Sequence, residues 1–354
     1  MRWSKLVTMI DLHAEGEIGR VATAGFGTVP GDSMMEKMRY INEMDDTIRR
    51  FTVFEPRGAA TSTVNLLFPP IRPEAAAGFI VLQADKAHAM SGSNAMCVAT
   101  ALLETGYIPM REPYTRLKLD TPAGLVSVTA ECRGGRCERI ALDMPPSFVH
   151  DLEVRLSVPE IGTVIVDIAY GGVFYALVDA AALGIPINRT NARRLVELAS
   201  PIKRAVNQQV RVRHPDLPEI NHVSYVMFCE RGSDPSLIRG CTVIPPGRCD
   251  RSPCGTGTAA RLAAMYARGE VRLGDELRAQ SIIDTEFQVE LTGQTCIGCG
   301  SEGAVLSRIS GRAWIFGMYQ CALDPTDPFA FGFALSDTWG PDVDEMRASL
   351  STSG

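Results

Sequence analysis

A chain of 354 residues, 45% hydrophobic and 21% charged, has the balance of an ordinary globular protein, and its length suggests two domains rather than one. Its formal net charge of −6 with scattered basic residues argues against nucleic acid as a partner, and no apolar run approaches the length of a membrane span. Ten cysteines with no secretion signal argue against a disulfide framework and for a cytoplasmic location.

In chain order, Leu6 to Ile10 reads as a strand that runs into a turn carrying His13, Glu15, Glu17 and Arg20, on residue chemistry a solvated hairpin turn. Lys37 to Arg49 carries Met38, Ile41, Met44 and Ile48 three and four apart, which predicts a helix. Phe51 to Phe54 reads as a strand closed by Glu55-Pro56-Arg57-Gly58, and further strands are expected over 63–68 and 77–82. Met90-Ser91-Gly92-Ser93-Asn94 then leads into Ala95 to Gly106, a helix apolar on nearly every face, which must therefore be buried. Strands are expected over 116–121, 125–130 and 139–142 before Met144-Pro145-Pro146-Ser147 breaks the pattern. The second half predicts strands over 163–169 and 173–178, a helix over 191–207 and a strand over 222–229. Asp250-Arg251-Ser252-Pro253-Cys254-Gly255-Thr256-Gly257-Thr258 precedes the apolar run Ala259 to Ala267, and strands over 286–292, 304–309 and 313–319 follow.

Cys296-Ile297-Gly298-Cys299 has zinc-ligand spacing, with Cys132 and Cys137 as conceivable partners. Few histidines, a C-x4-C second pair and no zinc-ribbon pattern make a structural metal site the disfavoured reading.

The informative feature is an internal repeat. Laying Ser91-Gly92-Ser93-Asn94-Ala95 over Cys254-Gly255-Thr256-Gly257-Thr258 aligns two small-residue loops and two apolar helices, and brings Gly106 onto Gly269. Two such units suggest two homologous α+β domains, expected over 1–155 with 325–354 and over 156–324, with a site between them. Unpaired N–H groups at a helix N-terminus favour negative charge, so Cys254 is expected to have a lowered pKa and a substrate carboxylate to bind there. Ser91 and Cys254 on opposite sides of one carbon would suit removal and return of a proton. A catalytic Cys254 is favoured over a buried structural thiol.

These residues resemble the proline racemase family, which includes proline racemases, 4-hydroxyproline 2-epimerases and trans-3-hydroxy-L-proline dehydratases. Asp250 to Gly257 is similar to the second catalytic motif at every position, and Met90-Ser91-Gly92-Ser93 to the first, usually Met-Cys-Gly-His. Asp11 to Glu17, Glu55 to Gly58, Tyr170 to Ala176, Gly311 to Gly317 and Asp327-Pro328-Phe329 extend the likeness over nearly the whole chain. The resemblance implies a diaminopimelate-epimerase-like α+β fold of two pseudo-symmetric domains, each wrapping sheet around a central helix, and no metal, pyridoxal or nucleotide. It implies Ser91 and Cys254 as the catalytic pair, Asp250 at the substrate amine, and Gly92, Ser93, Gly255 and Thr256 as donors to the carboxylate. His222 would stand near the ring substituent, although it reads almost equally as a satisfied strand histidine, and Asp250 equally as a cap for its own loop. A homodimer fits the family but has no signature in the sequence.

Two departures matter: Ser91 stands where a racemase has cysteine, and Ser93 where it has histidine. A hydroxyl is far less acidic than a thiol, so the two faces of the substrate carbon would be unequally served. The expectation is therefore a trans-3-hydroxy-L-proline dehydratase, in which one strong base serves a syn elimination giving Δ1-pyrroline-2-carboxylate. The 4-hydroxyproline 2-epimerase is the alternative and the proline racemase ranks below both. Familiar dehydratases keep the first cysteine and replace the second by threonine, while serine–cysteine members include hydroxyproline epimerases. A non-catalytic amino-acid-binding protein and a diaminopimelate epimerase are the remaining competitors, the latter disfavoured by Ser91.

Overall fold

The computed structural model describes residues 3–232, 234–298, 301–340 and 343. The chain divides into two compact units, Met1–Leu142 with Gly311–Gly354, and Asp143–Ser310.

The first unit opens with β1 (Lys5–Ala14), which turns at Glu15 and Gly16, both at positive φ, into β2 (Glu17–Ile18) and β3 (Arg20–Ala24). Both run antiparallel to β1. α1 (Met34–Glu43) begins at Ser33, whose Oγ accepts the Glu36 N–H at 3.1 Å, an ordinary N-cap. α2 (Thr47–Val53) follows separately. The single helix expected over 37–49 is broken because the Asp45 side chain accepts the Thr47 N–H at 3.0 Å, a local bond that competes with the helix. Phe51 to Val53, expected as strand, form the last turn of α2, where Ile48, Phe51 and Thr52 share a buried face at helical spacing.

β4 (Val64–Phe68) runs parallel to β3 and antiparallel to β5 (Ala77–Leu82), which hairpins into β6 (Ala87–His88). α3 (Gly92–Glu104) is buried from Gly92 through Leu103 and packs on β1, β3 and β4. β7 (Tyr114–Thr121) lies parallel to β5 and continues as an antiparallel meander through β8 (Gly124–Arg133) and β9 (Arg136–Asp143).

In the second unit, β10 (Phe148–Val158), β11 (Gly162–Tyr170) and β12 (Phe174–Asp179) form an antiparallel meander. α4 (Ala192–Gln209) carries Pro201 inside it and packs on β10 and on β13 (Val223–Arg231). β13 is parallel to β12 and antiparallel to β14 (Leu237–Ile244), which hairpins into β15 (Arg248–Cys249). α5 (Gly255–Ala267) packs on β10, β11 and β12. β16 (Glu276–Gln280) then lies parallel to β14 and leads into the antiparallel pair β17 (Glu286–Ile297) and β18 (Ser301–Gly311). The chain re-enters the first unit as β19 (Ala313–Leu323), paired along β1 from Lys5↔Leu323 to Ala14↔Ala313. α6 (Ser336–Trp339) places Trp339 against Phe54, centroids 4.8 Å apart, with its Nε1 donating to Glu55 at 2.8 Å.

The repeat read in the sequence is a repeat of topology. β3, β4, β5, β6, α3 and β7 follow the same path as β12, β13, β14, β15, α5 and β16: a parallel pair, an antiparallel partner, a short hairpin, a central helix, and a parallel strand. The units meet elsewhere in the chain than expected. Residue 155 falls inside β10, whose partner β11 is in the second unit, and β19 belongs with β1, so the boundaries are 142 and 310 rather than 155 and 324. Cys132 and Cys137 oppose each other across β8 and β9, and among the described residues no three His, Cys, Asp or Glu gather into a metal-binding cluster; Cys299 lies outside those residues. Among the described residues, no helix is long and apolar enough to cross a membrane.

Gly171, in the β11–β12 turn, fixes how α5 seats on its sheet. A Cβ there would stand 2.1 Å from the Thr256 carbonyl oxygen and 2.6 Å from the Ala260 nitrogen, both backbone atoms that cannot rotate away. Gly171→Ala should destabilise the second unit by about 3 kcal/mol, read as a lowered denaturant midpoint. An unchanged midpoint would show that the turn moves freely from the helix.

Candidate active site

In the second unit a chain of short bonds builds the loop ahead of α5. The Asp250 N–H donates to the Thr242 carbonyl at 2.8 Å. Asp250 Oδ1 accepts the Ser252 N–H at 2.8 Å and its Oγ–H at 2.9 Å, and Ser252 Oγ accepts the Cys254 N–H at 3.1 Å. Thr258 Oγ1 donates back to the Pro253 carbonyl at 2.9 Å. Cys254, the N-cap of α5, is thereby held at φ 63°, ψ 98°, a conformation that a non-glycine residue adopts at a cost of roughly 1–3 kcal/mol. Asp250 does act as the cap of its own loop.

The Cys254 thiol is buried beside the Tyr175 hydroxyl at 3.5 Å, and that hydroxyl lies 2.6 Å from Thr256 Oγ1. Gly257 leaves room for the sulfur: a Cβ there would meet Cys254 Sγ and Met227 Sδ at 3.0 Å and Tyr175 Cε1 at 3.1 Å. Burial, with the neighbouring Asp250 charge, pushes the thiol up to about 12. The Thr242 and Tyr175 hydroxyls and the Gly257 N–H oppose this without overcoming it. The lowered pKa expected from a helix end is thus corrected: the helix N–H is present, but the lost hydration outweighs it. Tyr175 is itself raised well above its ordinary range by burial and by Cys254, so it remains an O–H donor at any working pH.

In the first unit Ser91 is the N-cap of α3 at φ −150°, ψ 130°. Unlike Ser33, it makes no capping bond to the helix backbone among the described residues. Its Oγ accepts from Asn94 Nδ2 at 2.9 Å and lies 3.3 Å from Ser93 Oγ. Gly92 and Ser93 are buried in the first turn of α3, and Gly255 in that of α5 with Thr256 half-buried. His222 is exposed in a bend before β13, not a strand histidine, and its neighbour Val223 is clamped by Asn207, which donates to the Val223 carbonyl and accepts its N–H, both at 2.9 Å.

The expected site residues thus fall into two loop–helix groups, Ser91, Gly92 and Ser93 in one unit and Asp250, Cys254, Gly255 and Thr256 in the other, with His222 on its own bend. The turn read as solvated is not: Glu17 is buried, Arg20 pairs with Asp11 at 3.4 Å, and His13 stacks on Trp314 at 5.1 Å. Sequence reasoning missed Tyr175 and Asn94. Tyr175 lies within the quoted Tyr170 to Ala176 stretch and Asn94 immediately follows the first motif, so position, not residue type, was the available signal.

The family model described as proline racemase matches residues 9–334. The 4-hydroxyproline 2-epimerase of Agrobacterium fabrum is 49% identical over 345 residues, which cover 97% of this chain and 99% of that protein. That of Allorhizobium ampelinum is 47% identical over 350 residues, 98% and 100% of the two chains. A solved hydroxyproline epimerase from Agrobacterium vitis, with bound trans-4-hydroxy-L-proline, is similar at a TM-score of 0.92 and 47% identity, covering 97% of this chain and all of that one. At 12% identity and a TM-score of 0.55, a Bacillus anthracis protein of the PhzF phenazine-biosynthesis family covers 89% of this chain and 99% of its own, and shares the fold. The expected α+β, diaminopimelate-epimerase-like fold is the one found.

The dehydratase expectation is overturned by these relatives, which match over the whole chain and are named epimerases. The physical reason lies in the premise of one strong base and one weak partner. Cys254 is pushed up toward 12 while Ser91 Oγ receives an amide donor, so the two groups are less unequal than their residue types suggest.

Alkylation of Cys254 by iodoacetamide should be slow at pH 8 and rise about tenfold per pH unit, because only the thiolate reacts and the thiol titrates near 12. Tyr175→Phe removes a donor that lowers this pKa, so the rate at fixed pH should fall by about threefold to tenfold. Asp250→Asn removes the charge that raises it, while an amide oxygen can still accept from Ser252, so the rate should rise. Mass spectrometry of the labelled peptide separates Cys254 from the other thiols; shifts of opposite sign would refute this account.

Proposed function

The chain belongs to the proline racemase family, and we propose that it is a 4-hydroxyproline 2-epimerase, interconverting trans-4-hydroxy-L-proline and cis-4-hydroxy-D-proline by inversion at the α-carbon. The observation that carries the reading is the duplicated unit: each central helix of 13 residues begins on an N-cap whose side chain bears an exchangeable proton, Ser91 in one and Cys254 in the other. The likeness to an epimerase that holds trans-4-hydroxy-L-proline supports the choice of substrate.

On this reading the first-turn N–H groups at Gly92, Ser93, Gly255 and Thr256 receive the substrate carboxylate, as helix N-termini receive anions generally. Asp250 pairs with the ring ammonium, and His222 addresses the 4-hydroxyl. The ammonium has a second effect. It offsets the Asp250 charge that adds to the burial raising the Cys254 pKa, and it places a cation near the sulfur, so binding itself shifts the thiol toward the thiolate. Cys254 then takes the α-proton from one face while Ser91 delivers its hydroxyl proton to the other; the reverse reaction runs the two transfers backwards. Only protons move, so no cofactor is involved. The enzyme would act in the cytoplasm, as a monomer or a homodimer.

In deuterium oxide, trans-4-hydroxy-L-proline should lose its optical rotation toward that of an epimer mixture while gaining one deuterium at C2. Cys254→Ala should lower kcat by about 10³-fold while leaving the fold intact by circular dichroism. A protein that binds the amino acid yet exchanges no α-proton is a binding protein, and the proposal fails.

A further inference from the structure

Inversion by a serine and a thiol leaves a chemical difficulty at the serine. When Ser91 has given its proton to carbon, its oxygen carries the charge, and in the reverse direction that oxygen must be the base. A bare alkoxide is costly at neutral pH, so something must stabilise it and aim its proton.

The first unit contains a buried arrangement suited to this. Asn94, 2% exposed, lies in the first turn of α3 and donates from Nδ2 to Ser91 Oγ at 2.9 Å. Asn94 Oδ1 accepts from Asn65 Nδ2 at 2.8 Å, and the same Asn65 nitrogen donates to the Arg20 carbonyl at 3.1 Å. Asn65 is fully buried in β4. Its orientation is set by the Arg20 backbone carbonyl, which can only accept. Turning the amide over would set oxygen against that carbonyl oxygen. The orientation kept leaves Asn65 Oδ1 buried with no hydrogen-bond partner among the described residues, an unfavourable state in itself. Fixing Asn65 in turn fixes Asn94, with its oxygen toward Asn65 and its N–H toward Ser91. Gly19 completes the arrangement, since a Cβ there would stand 2.9 Å from Asn94 Oδ1 and 2.8 Å from Cys97 Sγ.

The placement is not that of an ordinary cap. An N-cap serine normally accepts from the backbone two or three residues on, as Ser33 does. Ser91 instead accepts from the side chain of Asn94, three residues on, which leaves the helix N–H groups to a ligand.

We propose that Asn94, oriented by Asn65, is a positioning residue for Ser91. Its N–H occupies a lone pair of Oγ, so the serine proton is directed away from Asn94, and the same N–H stabilises the oxygen once that proton has gone to carbon. Oxygen loses one proton and carbon gains it; nothing else is transferred. The inference rests on the two-base epimerase reading.

Asn94→Asp tests it with little change of shape. A carboxylate can still accept from Asn65 but would take the Ser91 hydroxyl as a donor, turning the proton away from the substrate. With wild type first shown to epimerise, this variant should lose about 10²-fold in kcat with KM within about threefold. One further readout separates positioning from damage to the fold. Cys254 still works its own face, so one C2 epimer should exchange its α-proton with deuterium oxide faster than it inverts, while the other does neither. Asn94→Ala should show the same asymmetry, and Asn65→Leu a milder one. Wild-type protein that inverts no hydroxyproline would sink the epimerase reading and this inference with it. Active wild type, with Asn94 variants whose exchange and inversion fall together for both epimers, or not at all, would overturn the role of Asn94 alone.

Discussion

The structure depends on two helices buried to their first turns. α3 is buried from Gly92 through Leu103, and α5 over most of its length. A helix leaves its first N–H groups without intrahelical partners, and at a buried end water cannot supply the missing acceptor. An ordinary protein would close such an end with a serine or aspartate side chain, as Ser33 closes α1. Here Ser91 is turned to Asn94 instead, while Cys254 stands beside Tyr175 with the Gly257 N–H toward its sulfur. On the epimerase reading, the remaining first-turn N–H groups are the ones that receive the substrate carboxylate. The sheets around the two helices repeat the same path, each seating one such helix.

The two ends reach that condition by different means. At α5 the backbone carries the strain: Cys254 sits at positive φ, pinned by Ser252 and Asp250, with glycines at 171 and 257 clearing space for helix and sulfur. At α3 the backbone is relaxed and extended, and the side chains do the orienting through Asn65 and Asn94. The division follows from the atoms. Sulfur is large and a weak hydrogen-bond acceptor, so it needs room and a chosen direction. Oxygen is small and poorly acidic, so it needs a strong fixed donor more than space.

Much of this was legible in the chain. The repeated loop-and-helix pattern, the burial of both central helices and most strands followed from small residues, apolar runs and glycine positions. What was not legible depended on partners distant in sequence. Phe51 to Val53 alternate like a strand, yet Ile48 supplies the helical neighbour that decides the matter. Glu17 looked solvated because its charge was visible and its burial under the fold was not. The unit boundaries follow from strand pairing, β10 with β11 and β19 with β1, which no local signal encodes. The motif marked Cys254, whereas its acidity depends on Tyr175 from β12 and on the depth at which the loop is buried.

That last point also explains why reading catalytic bias from residue types led to the wrong reaction. Serine against cysteine implies a weak and a strong partner only if both keep their solution acidities. Burial raises the thiol, and an amide donor assists the hydroxyl, so the pair draws together from both sides. For inversion this convergence matters, because each group must serve as acid in one direction and base in the other, and a large mismatch would stall one of them. It also gives the resting protein a neutral, unreactive thiol. Burial holds the proton on sulfur and the Asp250 charge adds to it; a bound ammonium would offset that charge, so on the epimerase reading substrate binding favours the base. On that reading the loop aspartate that pins Ser252 through Oδ1 also couples binding to the ionisation of Cys254, four residues on.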